Sequence, residues 1–206
     1  MKILLLGATG MLGAVVLRRA LAAGHQVTVL ARDASKFGAD VKSANIVVGD
    51  VRTADLSSLL DGQDAVIQSL GVGGKGDGRP TDICATGVKR VLAAMGTRPI
   101  RLIAVSNTGV QSSGGLIIRA LPLFVRWLRP ILEDKEQMEA ALRASSAHWT
   151  AVRMPGLADR KPIGTPRFSG DGKDLGFTVS LENAADVLIS LAGNEQYVRQ
   201  AVSISD

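Results

Sequence analysis

The run ILLLGATGMLG, residues 3–13, places four consecutive apolar residues directly before glycines at 7, 10 and 13. An uninterrupted apolar run of this length reads as a strand buried on both faces, and the apolar pattern that resumes over 12–23 reads as a helix. The glycines sit at the turn between them, and each has a physical use. Gly7 permits the tight turn, Gly10 lets backbone approach a phosphate, and Gly13 lets the helix pack closely on the strand. The first amides of that helix, near Met11 and Leu12, have no partner within it and are placed to receive negative charge; Thr9 can add a hydroxyl.

Downstream, the chain repeats the same alternation. Short apolar runs at 26–31, 45–48, 64–70, 101–106 and 148–153 read as further strands, and 54–61, 80–96 and 133–145 read as the helices between them. Strands apolar on both faces with helices in between define an α/β fold of Rossmann type, a doubly wound and mostly parallel sheet with helices on both faces. The sequence predicts one domain over 1–206, with a strand at 175–179, a helix at 181–192 and a last strand near 201–204. Segments at about 107–132 and 155–180 are expected on the substrate side.

In that fold a glycine turn after the first strand marks a dinucleotide site, and the end of the second strand decides which dinucleotide. NAD selectivity rests there on an acid that accepts from the ribose hydroxyls; this chain has Arg32, with Lys36 one short turn further on. A guanidinium pairs with a 2′-phosphate and stacks on adenine, so the cofactor expected is NADP(H). Asp33 either caps the next turn or meets a ribose. Asp50, in VVGDV, either accepts from the adenine amino group beside the Val51 backbone or simply forms the turn.

Composition narrows the function classes. There are 24 Lys and Arg against 19 Asp and Glu, a net charge of +5 without a dense basic block, which argues against nucleic acid. A lone cysteine, Cys84, and two separated histidines, His25 and His148, offer neither an internal disulfide nor a metal cluster. MKILLLGATG lacks the length of a signal segment, and no apolar run reaches a membrane span. The expectation is a cytoplasmic, metal-free protein without stable membrane insertion, a monomer or homodimer, acting on a small-molecule substrate.

Taken together, GATGMLG, VTVLARDASKF, IVVGDV, GQDAVIQSLG, LIAVSNTG and EDKEQMEAALRASSAHWTAVRMPG resemble the NAD(P)H-binding, NmrA-like group of atypical short-chain dehydrogenases/reductases, and within it the flavin reductase or biliverdin-IXβ reductase branch. The likeness spans nearly the whole chain and is loosest at 107–132 and after 160. It implies that Gly7, Thr9, Gly10, Met11, Leu12, Arg32, Lys36, Asp50, Val51, Leu70 and Gly71 line the dinucleotide site. It also implies that Ser106 lies beside nicotinamide and substrate and that Pro155 packs by the ring. Lys135 stands where the flavin reductases carry a histidine.

The sequence departs from ordinary short-chain dehydrogenases in lacking their Tyr-x-x-x-Lys pair: its only tyrosine, Tyr197, has alanine four residues on. That disfavours alcohol and ketone chemistry. A flavin, tetrapyrrole or quinone needs no strong protein acid, so the expected activity is NADPH-dependent reduction of a conjugated acceptor; the alternative is a non-catalytic NADP(H) sensor. Ser106 can orient the acceptor or serve as a plain turn residue. Lys135 can hold ribose hydroxyls or a developing negative charge, or form an exposed i,i+4 pair with Glu139. In the apolar, irregular stretch 116–132, broken at Pro122 and Pro130, Phe124 and Trp127 can stack on a planar ligand. That stretch reads equally as a helix packed on the core or on a second copy, and a membrane-surface helix is a third reading. His148, Cys84, Glu182 and Asp186 are expected to be structural.

Overall fold

The structure, a computed structural model, describes residues 1–72, 77–113, 125 and 127–206. Its first half runs β1 (Lys2–Leu6), α1 (Met11–Ala22), β2 (Gln26–Ala31), β3 (Asn45–Val48), α2 (Leu56–Leu60), β4 (Ala65–Gln68), α3 (Ile83–Met95) and β5 (Arg101–Asn107). After the apolar stretch come α4 (Leu128–Ala144), β6 (His148–Met154), β7 (Gly156–Ala158), β8 (Arg167–Ser169), β9 (Thr178–Ser180), α5 (Leu181–Ala192) and β10 (Gln200–Ser205). The main sheet has eight strands in the order β3-β2-β1-β4-β5-β6-β10-β8, parallel except for β8, which runs antiparallel to β10. β7 and β9 form a separate parallel pair.

Period-two alternation in β1 explains why the sheet is covered twice. Ile3 and Leu5 join the apolar cluster formed with α1 and α5, whereas Leu4 and Leu6 join the cluster formed with α2, α3 and α4. All four are at most 1% exposed, so the first strand is central in both senses. Because the order reverses between β1 and β4, the crevice of the sheet opens at their carboxyl ends, and the glycine turn leads directly into it.

Helix α1 is docked on that turn with almost no clearance. Gly7 has φ +88°, a left-handed conformation, and a Cβ there would lie 2.4 Å from the Ser69 carbonyl oxygen. A Cβ on Gly13 would lie 2.1 Å from the Gly7 carbonyl oxygen. On the far side, α1 is clasped to α5 by Arg19, which pairs with Asp186 and, at 3.6 Å, with Glu182.

Several sequence expectations need correction. The helix expected over 133–145 begins at Leu128 and takes in Pro130, so that proline does not break the chain; as the third helical residue it lacks only an N–H that the first turn leaves unbonded anyway. The strand expected at 175–179 is β9, Thr178–Ser180, and the short strands β7 and β8 had no signal strong enough to read. Phe124 and most of the stretch 116–132 lie outside the described residues. Among the described residues no helix is long and apolar enough to cross a membrane.

The Gly7–Gly13 contact gives a direct test. Gly13→Ala forces a methyl group against backbone that cannot yield, and overpacking of this kind costs roughly 1–3 kcal/mol, or about 2–12 °C in Tm for a domain of this size. A thermal melt of Gly13→Ala should show that loss; an unchanged Tm would mean that α1 is not held by this approach.

Candidate dinucleotide site

Strand order turns chain order into spatial order along the carboxyl edge. Reading across β3, β2, β1, β4, β5 and β6, the edge presents Asp50 and Val51, then Arg32, the turn from Gly7 to Gly13, Leu70 and Gly71, Ser106, and Pro155. Residues spread over much of the sequence thus form one row.

At the centre, α1 starts open. Gly10 is its N-cap with no side-chain cap, the first turn holds no acid, and the first helical bond runs from the Ala14 amide to the Gly10 carbonyl at 2.9 Å. The Gly10 amide goes back to the Gly7 carbonyl at 3.0 Å, leaving the Met11, Leu12 and Gly13 amides without acceptors among the described residues. Thr9, Gly10 and Met11 are exposed, so the positive end of the helix dipole faces solvent. An uncapped, unacidified, exposed helix start beside a turn with no room for a Cβ fits a pyrophosphate.

One end of the row is basic. Arg32 and Lys36 are exposed, and neither forms a hydrogen bond or ion pair among the described residues. Asp33 is committed to the turn: its Oδ1 accepts from the Ser35 amide at 2.9 Å and from the Ser35 hydroxyl at 2.6 Å. These bonds hold its carboxyl below the ordinary range. Asp50 uses Oδ1 to accept from the Arg52 amide at 2.8 Å, the turn role, with its second oxygen left over. Arg52 then pairs with Asp82 at the start of α3, and this guanidinium, with the Thr86 hydroxyl, holds the Asp82 carboxyl at about 2.

At the other end, α4 inserts charge beneath the row. The reading of Lys135 and Glu139 as an exposed pair is wrong: they are 4% and 0% exposed and bind different partners. Lys135 Nζ donates to the Val105 carbonyl at 2.7 Å and the Leu70 carbonyl at 3.2 Å, bridging the ends of β5 and β4. Glu139 accepts from Ser106 Oγ at 2.6 Å, from Arg153 Nε and Nη2 at 2.9 and 2.7 Å, and from Arg143 at 3.1 Å. Burial alone would push the Glu139 carboxyl up; the hydrogen bonds from Arg153 and Ser106, the Arg153 charge and the Arg143 bond outweigh it and hold the carboxyl below its ordinary value. Asp134 caps α3, accepting from the Cys84 and Ala85 amides at 3.0 and 2.8 Å.

Ser106 is therefore a buried hydroxyl tied to Glu139, not a free one, while Pro155 is half-buried between β6 and β7. Trp127, 36% exposed, lies beside the turn at Gly78. Cys84 is buried, its thiol on the Leu70 carbonyl at 3.2 Å. Tyr197 lies at the opposite, amino edge, where its carbonyl accepts from Thr150 and its ring stacks on Phe168. Sequence reasoning missed Asp134, Glu139, Arg143 and Arg153. A signal for one of these positions, Glu139, existed: Lys135, Met138, Glu139 and Leu142 follow the i, i+3, i+4, i+7 spacing of a buried helix face.

Fold and edge together define a dinucleotide-binding protein of Rossmann type. A profile of the NAD(P)H-binding family matches residues 7–195, and the chain belongs to that family. Among solved structures, it is similar to a Lactobacillus casei protein with a TM-score of 0.86 and 18% identity, covering 100% of this chain and 99% of that one. A candidate NADH-flavin reductase from Streptococcus pneumoniae matches with a TM-score of 0.83 and 18% identity, covering 100% and 99%. A short-chain dehydrogenase/reductase from Veillonella parvula in complex with NADP matches with a TM-score of 0.80 and 16% identity, covering 100% and 94%.

Folding lowers the Glu139 pKa, so the contribution of its ionised form is complete above the unfolded value of about 4.3 and is lost as pH falls through the folded value. Glu139→Gln strands the Arg153 charge and should cost roughly 3–5 kcal/mol at pH 7. In urea titrations the gap to wild type should narrow as pH drops below about 4; a gap that does not change with pH would show that the Glu139 charge is not what stabilises the cluster.

Proposed function

We propose that the chain is an NADPH-dependent reductase of a conjugated acceptor such as a flavin, a tetrapyrrole or a quinone. The observation that carries the cofactor choice is Arg32. It stands just past the end of β2, exposed and without a partner among the described residues, while the adjacent Asp33 is consumed by Ser35. An unpaired guanidinium, with Lys36 beside it, offers a 2′-phosphate a charge-assisted grip that a ribose hydroxyl does not use.

The remaining cofactor contacts follow the row. Gly7, Thr9, Gly10, Met11 and Leu12 hold the pyrophosphate by backbone and hydroxyl, Asp50 and Val51 take the adenine end, and Leu70, Gly71 and Pro155 border the nicotinamide end. When bound, the nicotinamide supplies two electrons as hydride, and the acceptor takes a proton from solvent. Support for a reductase comes from two structural neighbours, the candidate NADH-flavin reductase from Streptococcus pneumoniae and an anaerobilin reductase from Escherichia coli O157:H7, the latter with a TM-score of 0.76 and 20% identity. The position of Tyr197 at the amino edge also speaks against tyrosine-assisted ketone chemistry. Ser106, held by Glu139, acts here as a fixed wall of the site, and Trp127 supplies an aromatic face on the acceptor side.

The test is NADPH oxidation with FMN, riboflavin, biliverdin and small quinones, beside NADH and the Arg32→Asp variant. Turnover should be faster with NADPH, and Arg32→Asp should weaken NADPH binding roughly ten- to hundred-fold with little change for NADH. Equal loss for both would reject Arg32 as the phosphate grip. Tight NADPH binding with no turnover on any acceptor would turn the reading to an NADP(H) sensor.

A further inference from the structure

Lys135 brings its ammonium group under the nicotinamide end of the row, with no carboxylate at ion-pair distance among the described residues. Its Nζ donates to the Val105 and Leu70 carbonyls, two of the three bonds an ammonium can donate, and shares the Leu70 carbonyl with the Cys84 thiol. Carbonyls solvate a cation but do not neutralise it. Nearby carboxylates are engaged elsewhere, Asp134 by the Cys84 and Ala85 amides and Glu139 by Arg153, Arg143 and Ser106. The buried charges of α4 and β6 balance in number, Lys135 and Arg153 against Asp134 and Glu139, but Glu139 is paired with Arg153 whereas Lys135 is set directly on the ends of β4 and β5, where screening is weak.

We propose that Lys135 makes the site discriminate between the redox states of its dinucleotide, binding NADPH in preference to NADP⁺. The inference rests on reading the carboxyl edge as an NADP(H) site with the nicotinamide at the ends of β4 and β5. Oxidised nicotinamide carries a positive charge and the reduced ring carries none, while phosphates, riboses and adenine are the same in both forms. A fixed positive charge beside the ring therefore penalises only the oxidised form. The same bias makes release of the oxidised cofactor easier after each turnover.

Equilibrium binding separates charge from bracing. For wild type, Kd for NADP⁺ should exceed Kd for NADPH by about five-fold or more, the size expected of a unit charge acting through a partly buried medium. In Lys135→Gln the ratio should fall several-fold toward one, and Lys135→Arg, which keeps the charge, should retain it. If Lys135 only braces Leu70 against Val105, both dissociation constants rise together and the ratio stays put, which overturns the proposal. Equal affinities in wild type overturn it without any variant. Absence of binding by either form would instead reject the dinucleotide site itself, so the two failures are told apart.

Discussion

The arrangement of this protein depends on one close approach, that of the start of α1 to the turn following β1. With Gly13 stacked on the Gly7 carbonyl, the helix axis points at the crevice beside β4, and its free amides open onto the carboxyl edge rather than into a neighbouring side chain. A larger residue at either glycine would tilt the helix away from β1 and redirect its dipole. The clasp of Arg19 on Asp186 and Glu182 acts at the far side of the same helix and fixes its other contact, so that α1 is located by backbone at one end and by charge along its flank. The charged pairs are well exposed and screened, and their share of the stability is small; the backbone contact is what sets the geometry.

Beyond the switch point, order at the carboxyl edge is imposed by a helix that carries its polar groups inward. Asp134, Lys135 and Glu139 of α4 reach the α3 amides, the ends of β4 and β5, and the Ser106–Arg153 pair, so a single helix ties together α3, β4, β5 and β6. Buried ionic groups are costly to desolvate, and a purely apolar α4 would pack at least as stably. What the charges add is direction: hydrogen bonds fix the Leu70 carbonyl and the Ser106 hydroxyl in orientation as well as in position, which apolar contact does not.

How far the sequence could be read follows from the range of the forces involved. The strands and the glycine turn were legible because hydrophobic alternation and glycine sterics are local: ILLL and GATGMLG contain within a few residues everything that determines their conformation. The place of Arg32 was legible because it depends only on the offset from the end of β2. The α4 cluster was hidden because each partner is distant along the chain, Glu139 meeting Ser106 33 residues away and Lys135 meeting Leu70 65 residues away. Residue type misled there, since charged side chains are rarely buried and an i,i+4 Lys–Glu pair suggests a wet surface. The hydrophobic stripe they interrupt was the better guide. Pro130 misled for a related reason: a proline is a breaker only where its missing amide would have been bonded.

The two ends of the row handle charge in opposite ways, and the difference follows from what each would have to recognise. Arg32 and Lys36 stand in solvent, where a guanidinium is free to close on a doubly charged phosphate, and the gain is a contact made only when that phosphate is present. Lys135 and Glu139 are locked in place before any ligand arrives, so their field is constant and falls on whatever occupies the neighbouring space. Mobile charge at the surface selects between molecules that differ by a whole anionic group. Fixed charge in a poorly screened interior acts on a finer difference, a single charge on a ring, because no side chain has to move for it to be felt. A site that must hold one dinucleotide tightly by its phosphates while still responding to the state of its ring needs both kinds, placed apart, and the strand order of this sheet keeps β2 and β5 on opposite sides of the phosphate turn.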